Sequence, residues 1–293
     1  MTFFPYIEIS GTSRAPDTIP ASGSNILHLY SRNRAGRMVP EFVGPAGVES
    51  AFQPALFGNS IILLSPTNTT TVPAAIGTLW TGTGTVSNPA ITNTSLRNQT
   101  RRIRYATTNG FASAACAGVV SPGPECWRGG NITGAGGWFF FMRFSPGTVP
   151  SASFKSCFGL SSRSTVMTVE PDTQNDTVCL GKRAVSNNWE LIFRGGNATN
   201  VNIVDLGVTA TAWTGSLIDL TMFSAPNGST ITFRIVNQTT GEVIHDNVSY
   251  TGTYMPRPDQ MMHIHGNIAS SFSASNQNSI NVEFNRIYVE KDF

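Results

Sequence analysis

Charge is what this chain has least of. Charged residues fill 12% of its 293 positions, about half the usual share. Hydrophobic residues make up 40%, which excludes a disordered polyelectrolyte and predicts a real core. The net charge of +2 and pI near 8.4 project no strong field toward nucleic acid or an anionic membrane. No apolar run approaches the roughly 18 residues that a membrane span requires, so membrane insertion is not expected. The opening MTFFPYIEIS lacks the basic, apolar and small-residue regions of a secretion signal. It predicts synthesis and folding in a cytoplasm, and on that footing the nine Asn-X-Ser/Thr triplets are a by-product of Asn/Thr-rich strands and loops. Neither a G-x-S-x-G elbow nor a Walker phosphate loop occurs, and the glycine clusters at 129–137 and 194–197 read as turns. No cofactor is expected. Helical periodicity sustained over three turns is missing as well.

Glycine and proline are abundant, at 28 and 17, and they punctuate short alternating or apolar runs. Such runs fall at 138–144 (WFFFMRF), 189–194, 201–206, 217–223, 230–236 and 280–289. Strands at this spacing predict an all-β chain, a jelly-roll or concanavalin-like β-sandwich. Pro226-Asn227-Gly228 and Thr240-Gly241-Glu242 flank one run and predict tight hairpin turns, because Asn-Gly accepts positive backbone angles. Four segments are expected. Residues 1–25 form an extended N-terminal arm, 26–64 a small β subdomain, 65–100 a Thr/Asn-rich spacer, and 101–293 the sandwich.

Few residues are candidates for chemistry. His263 and His265, in MMHIHG, share one strand face and form a weak two-ligand metal clip; His245 is the nearest third ligand in sequence. Two partly exposed strand histidines is the plainer expectation, and histidines meeting on an oligomer axis are a third. Glu170, Asp172 and Asp176 lie in EPDTQND, a solvated turn or a calcium loop. The remaining acids are scattered, and no strand carries the paired acids of a glycosidase. Trp127, Trp213 and Tyr254 sit among loop residues and are the candidate ligand-binding aromatics, suited to stacking on sugar rings. Trp138 and Trp189 open alternating strands and belong in the core. Four cysteines without a CxxC pair argue against zinc. Buried free thiols are the expected state, with disulfides Cys116–Cys126 and Cys157–Cys179 as alternatives. The local cluster Arg97, Arg101, Arg102 and Arg104 reads as a strand facing solvent or a neighbouring subunit.

The stretch Asn25–Leu64, NILHLYSRNRAGRMVPEFVGPAGVESAFQPALFGNSIILL, precedes the Thr/Asn-rich segment, and the chain closes on NRIYVEKDF. In this order the blocks resemble tailed-bacteriophage virion structural proteins of the tail-fibre or appendage kind. The resemblance implies a non-enzymatic virion protein that joins other virion proteins through its N-terminal arm. It also implies a homo-oligomer, a homotrimer by preference, that attaches to the host, with a host-surface glycan as the natural contact. The rival expectations are a carbohydrate-binding lectin-like module and a capsule- or cell-wall-degrading glycosidase.

Overall fold

The structure is a computed structural model that describes residues 28–43, 49–51, 60–66, 80–107, 116–130, 135–147, 154–197, 199–270 and 280–291. The expected arm, 1–25, lies outside the described residues. In chain order, the first half contributes β1 (His28–Arg34), β2 (Arg37–Val43), β3 (Glu49–Ala51), β4 (Ser60–Leu64), β5 (Thr81–Thr83) and β6 (Thr85–Ser87). A four-residue helix, α1 (Leu96–Gln99), follows, capped by the Ser95 hydroxyl. Next come β7 (Ile103–Ala106), β8 (Cys116–Val120), β9 (Trp138–Pro146), β10 (Phe154–Ser161), β11 (Thr177–Lys182) and β12 (Asn188–Arg194). The last six are β13 (Val201–Thr209), β14 (Ile218–Ser224), β15 (Thr230–Asn237), β16 (Glu242–Thr251), β17 (His263–Ser270) and β18 (Asn281–Lys291).

These strands build two facing antiparallel sheets and one small one. The order β13-β12-β11-β10-β17-β8-β5 forms the first large sheet, and β16-β15-β14-β9-β18-β7-β6 the second, with β4 also on β18. The period-2 pattern explains their facing. Trp138, Phe140, Met142 and Phe144 of β9 are all buried, while Phe139, Phe141 and Arg143 between them are half-buried on the outer side. The sheets meet through aromatic rings: Phe144 stacks on Phe158 of the opposite sheet at 4.0 Å between centroids, and Phe284 lies 6.4 Å from Phe158. Gly266 makes room for this layer, since a Cβ there would stand 2.7 Å from the Phe284 ring.

The sandwich begins well before residue 101. β4, from the expected attachment subdomain, pairs with Ile287–Lys291 of β18; β7 pairs only with Asn281–Phe284. An eleven-residue strand beside a four-residue neighbour leaves half its edge open, and unpaired backbone groups in a core are costly. β4 closes that edge. From the expected spacer, β5 joins one sheet and β6 the other, three residues each. Gly84 turns the chain between them at φ +96°, with a Cβ position only 2.6 Å from the Ala106 carbonyl oxygen.

β1 and β2 form a hairpin whose turn residues Ala35 and Gly36 have φ of +54° and +87°. The tip rests on the second large sheet. Ala35 N donates to Asn247 Oδ1 at 2.6 Å, and Arg37 pairs with Glu290 at 2.6 Å while its guanidinium lies over Phe139. Among the described residues no helix is long and apolar enough to cross a membrane.

Candidate functional site

A fifteen-residue segment, 162–176, joins β10 to β11 at one end of the sandwich. Ser161, Thr177 and Arg194 align across β10, β11 and β12, and His263 opposes Ser161 on β17. From Ser161 the chain folds back across the outer face of the first large sheet before returning at Thr177. Met167 and Val169 of this segment cover Cys157, Cys179 and Ile192 in a small second core. The face beneath is polar in part. His265 Nε2 bonds the Arg163 carbonyl at 2.7 Å, and Asn267 Nδ2 donates to the Met167 carbonyl at 3.0 Å. Asp176, buried at φ +50°, fixes the far end by accepting from Arg257 N (2.8 Å) and Nη2 (2.9 Å).

Between the two limbs of this segment lies an open cleft of about 680 Å³, within the size range of small-ligand sites. Ser162, Arg163, Ser164 and Thr165 line one limb. Thr173, Gln174, Asn175 and the strand-end Arg194 line the other. Arg163 Nη1 donates to Gln174 Oε1 at 3.2 Å, and Arg194 Nε to Asn175 Oδ1 at 3.2 Å, with Arg194 Nη1 on the Asp172 carbonyl. The cleft therefore presents hydroxyls, amides and two guanidinium groups, and its lining contains no carboxylate. Such a wall can hydrogen-bond a polar ligand.

The residues expected from sequence fare differently. Trp213 is buried, not exposed: it ends a 3-10 turn, Ala210–Trp213, and stacks on Trp189 at 4.9 Å in the core. Its small polar neighbours mimic a loop, but the turn points the indole inward. Tyr254 is half-buried, edge-on to Phe193 at 5.7 Å, in a loop whose Thr253 carbonyl abuts Gly195 beside Arg194. Trp127 is half-buried at the same end of the sandwich, next to Arg128, whose Nη1 donates to the Pro256 carbonyl at 2.7 Å. Neither of these two aromatics lines the cleft.

His263 and His265 do share a strand face, yet both are buried rather than partly exposed. His263 Nδ1 is engaged with the Ser121 carbonyl at 2.9 Å, and His265 with that of Arg163. A nitrogen bonded to a carbonyl donates its proton, which leaves His263 Nε2 and His265 Nδ1 as the acceptor nitrogens. Burial also pushes His265 down to about 4. His245 lies on the other sheet against Tyr250 Oη at 2.9 Å. No group of three potential metal ligands occurs among the described residues. Nor do the EPDTQND acids converge on one point: Asp172 faces Arg183 at 3.4 Å, Glu170 accepts from Ala184 N at 3.1 Å, and Asp176 holds Arg257.

The four cysteines carry free thiols. Cys157 and Cys179 lie on adjacent strands, as their similar runs predict, and burial beside one another pushes the Cys179 thiol well up. A Cys116–Cys126 bridge is excluded. Cys116 faces Ala269 and Cys126 faces Met262, about 23 Å apart along β17 at ~3.3 Å per residue; a disulfide needs Cα atoms within about 7 Å. Three of the four clustered arginines, Arg97, Arg102 and Arg104, converge on the buried carboxylate of Glu283 at 2.6–2.8 Å. Burial pushes that carboxyl up, but Arg97 and Arg104 outweigh it and hold it below the usual range.

No protein-family model and no curated protein matches the chain. Solved structures do. Peanut lectin, crystallised with a nine-residue peptide, aligns with a TM-score of 0.51 at 11% identity, over 80% of this chain and 97% of that one. Lectin UEA-II, complexed with galactose, aligns at 0.50 and 8%, over 80% and 99%. An endo-β-1,4-glucuronan lyase from the fungus Trichoderma reesei gives 0.46 and 13%, over 79% and 94%. At such identities the two lectins establish the fold alone: this chain is a two-sheet, lectin-type β-sandwich.

Proposed function

We propose that this protein is a non-enzymatic binding module of a bacteriophage particle, whose sandwich presents the Arg163–Arg194 cleft to a host-surface glycan. The observation that carries the reading is the cleft itself: an open, hydroxyl- and amide-rich pocket at the loop end of a lectin-type fold. The placement of the acids favours binding over hydrolysis. Asp219 is gripped by both arms of Arg143 at 2.6 and 2.7 Å, Glu190 by Arg183, Glu290 by Arg37, and Glu125 by Lys291. A glycosidase instead needs a carboxyl held protonated beside a second, ionised one. The virion assignment rests on the block Asn25–Leu64 and the closing NRIYVEKDF. In that setting the arm joins the particle, three copies assemble, and multivalency lifts a weak single-site contact by ~10²–10⁴.

The test joins location to binding. Purified particles should contain the protein by peptide mass spectrometry, and an excess of free protein should block particle adsorption to host cells. A protein that binds glycan but is missing from particles is a lectin-like module of another kind, which overturns the virion assignment. A protein present in particles whose excess leaves adsorption unchanged overturns the host contact.

A further inference from the structure

We infer that the cleft selects sugars bearing an anionic group, a carboxylate or a phosphate, over neutral ones. This deepens the glycan-binding reading above and rests on it. The reason is how arginine is used across the sandwich. Arg37, Arg97, Arg102, Arg104, Arg143, Arg183, Arg234 and Arg257 each face a carboxylate within 3.4 Å. Arg128 is buried and spends its donors on the carbonyls of Gly228 and Pro256.

Arg101 and Arg286 are exposed to solvent, and the two half-buried cleft arginines break the habit in another way. Their hydrogen-bond partners are neutral: the side-chain oxygens of Gln174 and Asn175 and the backbone carbonyl of Asp172. Arg163 Nε is buried with no partner at all. Among the described residues neither arginine forms an ion pair: Asp176 holds Arg257, and Asp172 reaches only Arg183, at 3.4 Å, which it shares with Glu190. Two guanidinium groups thus share one opening with neutral hydrogen-bond partners and no carboxylate paired to either.

A guanidinium fork matches a carboxylate or phosphate, and a charge-assisted bond is roughly twice as strong as a neutral one. The rim adds the exposed hydroxyls of Ser164 and Thr165, which suit sugar hydroxyls and give a bare anion little to hold. The amides of Gln174 and Asn175 act as braces: they orient the two guanidinium planes and remain neutral, so the charge is left for the ligand. His265, under the cleft floor, is uncharged at neutral pH because burial pushes it down to about 4.

Titration calorimetry on the full chain, at low and at high salt, tests the inference with four probes. These are an oligogalacturonate, mannose 6-phosphate, neutral maltotetraose and inorganic phosphate. At least one anionic sugar should bind about tenfold more tightly than maltotetraose and weaken as salt rises. Arg163→Gln and Arg194→Gln should each cost about tenfold, with unchanged thermal unfolding. Arg286→Gln, on an exposed residue of β18, should change nothing. The winning anionic sugar identifies the source, an acidic polysaccharide or a phosphate-bearing one.

Maltotetraose binding as tightly as the anionic sugars overturns the charge selectivity and leaves glycan binding intact. Inorganic phosphate matching mannose 6-phosphate would make the cleft a plain anion site, which overturns the sugar contact and the inference with it. Silence from every sugar overturns both readings together.

Discussion

Replacing Glu283 by Gln should be the most damaging single-atom change that the sandwich can suffer. The carboxylate is fully buried and touches Arg97, Arg102 and Arg104 at 2.7, 2.8 and 2.6 Å, and Arg102 is itself only 4% exposed. The amide keeps the volume and one acceptor but removes the only negative charge from a group of three cations. Breaking a buried ion pair by deleting one partner costs about 3–5 kcal/mol, because the surviving charge stays buried. For a chain of this size that corresponds to a fall in Tm of roughly 6–20 °C. Urea unfolding read by tryptophan fluorescence measures it, since Trp138, Trp189 and Trp213 are all in the core. The acid limb supplies a second readout. The folded carboxyl is held below its ordinary value, so its stabilisation is complete above the unfolded value of about 4.3 and is lost as pH falls through the folded one. The variant should lose that part of the acid sensitivity. A cost below about 1 kcal/mol with an unchanged acid limb would refute the claim that one carboxylate holds this cluster together.

Gly266→Ala should destabilise by about 1–3 kcal/mol, an overpacking cost, because the new methyl stands 2.7 Å from the Phe284 ring and 3.3 Å from Met142; a neutral result in urea unfolding would mean that the aromatic layer is loose. His265 gives a different pH window. Its folded value is lowered to about 4, so the unfolded chain binds the proton first, and stability falls as pH drops from about 6.5 to about 4. His265→Gln should flatten that interval, and a curve identical to the parent's counts against burial of a neutral ring. Thiol titration of protein unfolded without reductant should find four free groups, and a tryptic peptide linking Cys116 to Cys126 would contradict the strand register.

The large strands were readable because each carries its own signal. WFFFMRF became β9, WELIFR became all but the first residue of β12, and the Asn227-Gly228 turn has Asn227 at φ +53°. The short strands were not, since three residues such as Thr81–Thr83 or Thr85–Ser87 hold no periodicity, and only distant partners make them strands. Trp213 misled because neighbours in sequence report a loop's composition and not where one side chain points. The cleft was hidden for a related reason. Arg163 and Arg194 are 31 positions apart and meet only through the register of Ser161, Thr177 and Arg194. One clue was present: with Trp189, Leu191 and Phe193 inward, alternation puts Glu190, Ile192 and Arg194 on the opposite face.

The turn at Gly84 has a mechanical consequence. β5 and β6, which it joins, end the two large sheets on one side, whereas β13 and β16 end them on the other. On that far side Phe193 meets Phe233 and Tyr250 across the sheets, and the chain itself crosses from β13 to β14 and from β16 to β17. Amide exchange should run fast along β13 and β16, the long half-exposed strands that end the two sheets, and a strand added by another molecule would find its longest template there.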